Sequence, residues 1–217
     1  TTGSGGGMYN YYSNPKLTNL TFSGNSAAYN GGGLYGYSSS PTLTNSTFIS
    51  NLAKDGGGMY NHYYSNPTLI DVVFNNNLAE DYGTSGGGGM YNYYQSRPTL
   101  TNVTFSGNVA DWGGGGIFND YFCSPSLTNV TFSNNSATRG GAIFNLIDSS
   151  PTLTNITFSG NSASFKGGAM YNQWGGNPQI RNTIFWGNTA TSGGEQIYDE
   201  DNPNYSTFSI VNDSVVQ

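Results

Sequence analysis

Seven copies of one phrase, in which a phenylalanine and an asparagine never move, restrict this chain to folds that stack equivalent turns. The phrase reads PTLTNITFSGN from Pro151 to Asn161, and variants of it begin at Pro15, Pro41, Pro67, Pro98, Pro125 and Pro178. The steps between these prolines are 26, 26, 31, 27, 26 and 27 residues. A phenylalanine stands seven residues after each proline, from Phe22 to Phe185, and an asparagine three residues after each phenylalanine, from Asn25 to Asn188. A fixed period of a few tens of residues marks a solenoid or a propeller and overrides any element-by-element reading.

A second block precedes each proline: GGGMYN ending at Asn10, Asn61 and Asn92, GGGLYG at Gly36, GGGIFN at Asn119, GGAIFN at Asn145 and GGAMYN at Asn172. A decayed eighth copy runs through Asp199 into SIVNDSVVQ, where Ile210, Asn212 and Val215 are expected in the places of Leu, Asn and Phe. The repeat fills residues 1–217, which predicts a single domain. Starting at TTGSGGG with no initiator Met, it reads as a slice of a longer β-helix or as a subunit that stacks end to end.

Apolar patches within a rung are too short for a helix and are bounded by Gly, Asn, Ser and Pro, so strands remain. The expected strands are MYN, LTN and roughly VTF. Leu17 and Phe22 lie five positions apart, an odd number, so both face inward only if the chain bends between them. Three strands and three bends close one coil. Stacking coils ~4.8 Å apart gives an all-β parallel β-helix of about eight rungs of 25–31 residues, roughly 38 Å tall. Without the hexapeptide pattern of the left-handed form, the right-handed form is expected; a propeller blade needs about 40 residues or more.

Stacking places equivalent residues above one another, which predicts a column of inward phenylalanines. The asparagine after each Phe is expected at a bend, in the left-handed or bridge region, passing amide hydrogen bonds along the stack. Two more inward columns are predicted: Asn19, Asn45, Asp71, Asn102, Asn129, Asn155 and Asn182, and then Asn10, Asn61, Asn92, Asn119, Asn145 and Asn172. Several TNxT segments match the glycosylation sequon, but an inward asparagine has no room for a glycan. The glycine triplets are expected to turn through positive φ.

Six basic against twelve acidic residues leave no basic stripe, so nucleic acid is excluded as a partner. No apolar run approaches the roughly eighteen residues of a membrane helix, so direct membrane insertion is not expected. Cys123 reads as a tolerated turn residue and His62 as a solvated turn histidine. The glycine-rich turns lack the aspartates of calcium-loading repeats, so no metal and no cofactor is expected.

GGAI at Gly140–Ile143 together with FSNN at Phe132–Asn135 resembles the paired GGAI and FxxN repeats of the polymorphic outer membrane proteins. FSGN at Phe22, Phe105 and Phe158 and GGAM at Gly167 extend the likeness over nearly the whole chain. The resemblance implies a bacterial, extracellular or cell-surface adhesin-like β-helix, of the kind exported through an autotransporter barrel.

Function is sought where the repeat varies, at two bends. The bend before each proline is aromatic: Tyr11, Tyr12, Tyr37, Tyr63, Tyr64, Tyr93, Tyr94, Tyr121, Phe122 and Trp174 are expected to form an edge suited to a glycan or a partner surface protein. The other bend carries Tyr29, Lys54, Asp55, Glu80, Asp81, Tyr82, Asp111, Trp112, Arg139, Phe165 and Lys166. Polysaccharide lyases and hydrolases share this fold and work with paired carboxylates or a metal-binding acidic cluster. Glu80, Asp81 and Asp111 form the one candidate acidic group, with Lys54 and Arg139 as the nearest bases. The primary expectation is a non-enzymatic surface or fibre-forming scaffold, with no catalytic residues. A polysaccharide-binding or polysaccharide-degrading protein is the alternative, and an ice-binding role for the outward threonines, Thr18, Thr44, Thr101, Thr128 and Thr154 among them, ranks below both.

Overall fold

The computed structural model describes residues 3–80, 86–200 and 202–217. Its strands form three parallel sheets that run the length of a β-solenoid. The MYN segments, from Met8–Tyr11 to Ile197–Asp199, make an eight-stranded sheet. The segments after the prolines make a twelve-stranded sheet, and short segments such as Leu52–Ala53 and Ser136–Arg139 make a six-stranded one.

The division of each rung differs from expectation. LTN and VTF are not separate sides of the coil. In four rungs they are one continuous strand, as in Thr42–Ile49 and Thr152–Ser159. The expected bend is a single left-handed residue inside that strand: Asn19, Asn45, Asp71, Asn102, Asn129, Asn155 and Asn182 all have φ between 47° and 57°. One such residue resets the in-out alternation, so Leu43, Ser46 and Phe48 all point inward. The third sheet instead follows the ladder asparagine and buries a column of alanines that includes Ala79, Ala110 and Ala137.

This geometry overturns the second predicted ladder. The asparagines from Asn19 to Asn182 are exposed and bond to one another along the outside, as in Asn45 Nδ2 to Asn19 Oδ1 at 2.7 Å. Asparagine suits the corner because its short polar side chain tolerates positive φ. The packing argument against glycans at the sequons therefore fails. The decayed last copy also pairs one residue later than expected: Val211 lies beside Ile180 and Val216 beside Phe185, and Asp213 takes the left-handed corner.

The core is built from the predicted columns. Rings from Phe22 to Phe185 stack face to face with centroids 4.6–5.0 Å apart. Beside them the Asn25–Asn188 ladder is inward, as expected, but it is not itself the left-handed residue. Its predecessor is, for example Ser50, Asn76, Gly107 and Asn134. Each inner ladder amide is saturated. Asn108 Oδ1 accepts from both the backbone N–H and the Nδ2 of Asn77, while Asn108 Nδ2 donates to Asn135 Oδ1 and to the Phe74 carbonyl. Gln196 Oε1 receives the last donor, Asn188 Nδ2, at 2.6 Å.

Only the first glycine of each triplet has positive φ. At Gly114 φ is 63°, whereas Gly115 is required because any Cβ there would collide with the carbonyl oxygens of Gly141 and Ser136 in the adjacent rung. The third position accepts alanine, as Ala142 and Ala169 show.

The inward asparagines of the first sheet form a ladder from Asn61 to Asp199, with steps of 2.7–2.8 Å. Gly36 interrupts it, and the flanking atoms, Asn10 Nδ2 and Asn61 Oδ1, are buried without hydrogen-bond partners. A Cβ at Gly36 would meet nothing closer than 3.7 Å. Gly36→Asn is therefore expected to join the two ladder segments and stabilise the fold by about 1–3 kcal/mol. The check is a higher urea midpoint at unchanged m-value; a lowered midpoint would show that the gap accommodates something other than an amide.

Candidate functional site

In MYN the tyrosine alternates with the inward asparagine and so points outward, yet from Tyr35 to Tyr171 this position is buried. Tyr35, Tyr60, Tyr91, Phe118, Phe144 and Tyr171 form a second apolar cluster on the outer face of the first sheet. Side chains from the two bends flank this floor, which explains the burial of an outward column. Neighbouring rings stack in parallel from Tyr9 to Tyr91 at 4.8–5.5 Å. At Phe118 the order changes: Tyr91 meets it edge-on, with an interplanar angle of 79°.

At this break lies a cleft of about 410 Å³, within the roughly 300–1,000 Å³ of small-ligand sites. Tyr60, Tyr91 and Phe118 form its floor, Trp112 and Asp55 come from one bend, and Tyr93, Tyr121 and Trp174 lie on the side of the other. Leu146 and Ile147 complete the lining together with Asp120. Trp112 also packs on Phe118 and Phe144, and Arg139 lies 5.6 Å from the centre of its ring. A hollow of about 400 Å³ near Tyr205 and Phe208 has no carboxylate among its described lining residues.

Asp120 occupies the register position that Tyr93 and His62 hold in the two preceding rungs. It is only 6% exposed. Tyr91 OH donates to its Oδ2 at 3.2 Å, while Oδ1 is buried without a partner. Burial pushes its carboxyl up to about 7; hydrogen bonds from Tyr91 and the Tyr121 backbone pull the other way, and the Asp55 carboxylate raises it further. Asp55 is half-buried and accepts the Gly86 N–H at 3.1 Å.

Nine of the ten aromatics singled out from the sequence divide into two groups. Tyr11, Tyr37, Tyr63 and Tyr94 make one stacked strip with centroids 5.0–5.7 Å apart, and Tyr12 and Tyr64 pack edge-on against it. Tyr93, Tyr121 and Trp174 line the cleft instead. Several of these rings sit on strained backbone: Tyr63 and Tyr64 have φ of 57° and 60°, and Tyr121 and Phe122 have 56° and 64°.

The predicted acidic group is not assembled as a cleft. Glu80 and Asp111 are exposed and line none of these hollows, and Asp81 and Tyr82 lie outside the described residues. Asp55 and Asp120 are the carboxylates that share a cavity. Their one signal in the sequence was an acid at Asp120, where the four preceding copies carry the rings of Tyr11, Tyr37, His62 and Tyr93. His62 is no solvated turn residue: it ends the strand Met59–His62, and its Nδ1 lies 2.6 Å from Tyr35 OH. Burial lowers its pKa. Cys123 occupies a buried position in a column of serines, where Ser96 N–H approaches its Sγ at 3.3 Å. Burial pushes its thiol up to about 12, which makes it unreactive.

Among the described residues, no group of three or more His, Cys, Asp or Glu is arranged to hold a metal, and no helix is long and apolar enough to cross a membrane.

Residues 129–146 and 155–173 match the Chlamydia polymorphic membrane protein repeat. Each matched stretch contains three ladder asparagines, Asn129, Asn135 and Asn145 in the first and Asn155, Asn161 and Asn172 in the second, and one two-glycine turn. No curated protein and no solved structure matches the chain. The model of the right-handed beta helix region matches residues 1–124, more than half of the 217 residues, so the chain belongs to that family.

Proposed function

We propose that this protein is a non-enzymatic recognition scaffold of the bacterial cell surface, adhesin-like, whose binding face is the aromatic side of the solenoid. The observation that carries this reading is the continuous ring surface formed by the Tyr11–Tyr94 strip and the adjoining cleft. Stacked aromatics offer flat apolar area with phenolic hydroxyls, which suits sugar rings or a partner's polar rim. The match to a surface-protein repeat supports the location. The test is a glycan array and a cell-binding assay comparing the protein with a Tyr63→Asn, Tyr94→Asn variant. Asparagine tolerates the positive φ at both positions, so the fold is retained while two rings are lost. Binding is expected to weaken about tenfold or more; unchanged binding would remove this strip from the recognition face.

A second reading, polysaccharide cleavage, draws support from Asp120 and Asp55. A carboxyl group that titrates near neutrality beside a second carboxylate in one cleft is the pairing such chemistry uses. Turnover of a polysaccharide panel that disappears in both Asp120→Asn and Asp55→Asn would favour it over the scaffold reading.

A further inference from the structure

The cleft combines two features that together suit an organic cation. Its walls are aromatic, and its described lining residues include two carboxylates but no lysine, arginine or histidine. Asp120 is more than nine-tenths buried, and its Oδ1 has no hydrogen-bond partner. A buried carboxylate oxygen without a donor costs free energy until a donor arrives, most of all when that donor is charged. Ring faces such as those of Trp112, Tyr93 and Trp174 attract a cation through their quadrupoles and pack against an aliphatic stem. The protein already uses its own side chains in this way nearby: Lys166 Nζ lies 4.2 Å from the centre of the Tyr198 ring and donates to its hydroxyl at 2.7 Å.

We propose that the cleft around Asp120 binds a protonated primary alkylamine, with the ammonium group donating to Asp120 Oδ1 and the carbon chain lying between the aromatic walls. Such a group is presented by a lysine side chain or by a polyamine. This deepens the recognition role proposed above and rests on it. Charge complementarity selects the occupant: the site joins apolar surface to negative charge, and an alkylammonium joins an apolar stem to positive charge.

The probe is Nα-acetyl-lysine methylamide, titrated against the intact protein by calorimetry and by tryptophan fluorescence, with the norleucine analogue as its uncharged counterpart. The lysine probe is expected to bind and the norleucine probe to bind at least about tenfold more weakly. Only ionised Asp120 pairs with the ammonium, so with a carboxyl pKa of about 7 the affinity should drop roughly thirtyfold from pH 8 to pH 5.5. Asp120→Asn should abolish both the binding and its pH dependence, with circular dichroism confirming the fold. A spermidine arm separates the sources: tighter binding than the lysine probe points to a polyamine, weaker binding to a protein lysine. Equal binding of lysine and norleucine probes, or full binding by Asp120→Asn, would overturn the proposal. If the amine fails while Tyr63→Asn, Tyr94→Asn still abolishes glycan or cell binding, the amine site alone falls; if both fail, the recognition face falls with it.

Discussion

Asn108→Ala is expected to lower the unfolding free energy by about 3–5 kcal/mol, whereas Asn25→Ala at the first rung costs roughly 1 kcal/mol or less. The two residues hold the same place in the repeat and differ in what they leave behind. Removing the Asn108 amide strips the buried Asn77 N–H of its acceptor, takes one of two acceptors from Asn77 Nδ2, and deprives the Phe74 carbonyl of the Asn108 donor. It also opens a void beside the Phe stack. Asn25 is half-buried, and its side-chain amide donates to Asn51 Oδ1 alone. Each rung couples to its immediate neighbours, so amide exchange should quicken most in the rungs around Asn108. Equal losses for the two variants, measured by urea unfolding, would show that the amide ladder does not fix the rung spacing.

The columns that were legible in the sequence are those whose identity is enforced by contact with copies of themselves. Phe105 must stack on Phe74 and Phe132, and Asn108 must bond to Asn77 and Asn135, so neither substitution nor insertion is tolerated and the spacing is visible in the sequence. Asn102 repeats as faithfully for another reason. Its constraint is backbone conformation, φ 56° at a corner, and sequence repetition does not distinguish a residue conserved for its dihedral angle from one conserved for its inward side chain. The aliphatics at Val103, Val130 and Ile156 held the missing clue. They are buried immediately after the corner, which is possible only if the corner itself resets the alternation.

The cleft was less legible because it depends on a departure from the repeat. Tyr60 and Tyr91 alternate correctly as outward residues, and their burial comes from bends whose sequences vary from rung to rung. Asp55 and Asp120 lie 65 positions apart in different rungs, Asp55 on a bend and Asp120 at the end of the strand Ile117–Asp120. Only the stacking register, which sets Asp120 in the column of Tyr93 above the tyrosine floor, brings that carboxyl to the cavity. Ladder residues build a regular scaffold, and an exception within a column is where that scaffold acquires a particular chemistry.

The contribution of Asp120 to stability should fall as pH rises toward 7, the reverse of a salt-bridged carboxylate. Its folded pKa, about 7, lies above the ordinary 3.8 of the unfolded chain, and burial is the main cause. Below about 4 both states hold the proton and the contribution is complete. Between about 4 and 7 the unfolded chain releases the proton while the native state keeps it, so folding loses about 1.4 kcal/mol per pH unit, on the order of 4 kcal/mol in all. The groups around it do not reverse the sign: Tyr91 and the Tyr121 N–H hydrogen-bond to the carboxylate, Asp55 repels it, and the nearby Tyr93 and Cys123 carry no positive charge. Asp120→Asn removes the ionisation and keeps an acceptor for Tyr91 OH, but places an amide N–H where Oδ1 lacked a partner, which costs about 1–3 kcal/mol. The variant should therefore match or fall below the native chain near pH 4 and exceed it by about 1–3 kcal/mol near pH 8, as read from urea midpoints across that range. A difference that stays flat with pH would mean that Asp120 is ionised throughout. If the difference grows as expected, the native chain carries at neutral pH a carboxylate that destabilises its own fold, and an ammonium group in the cleft would offset that cost by pairing with it.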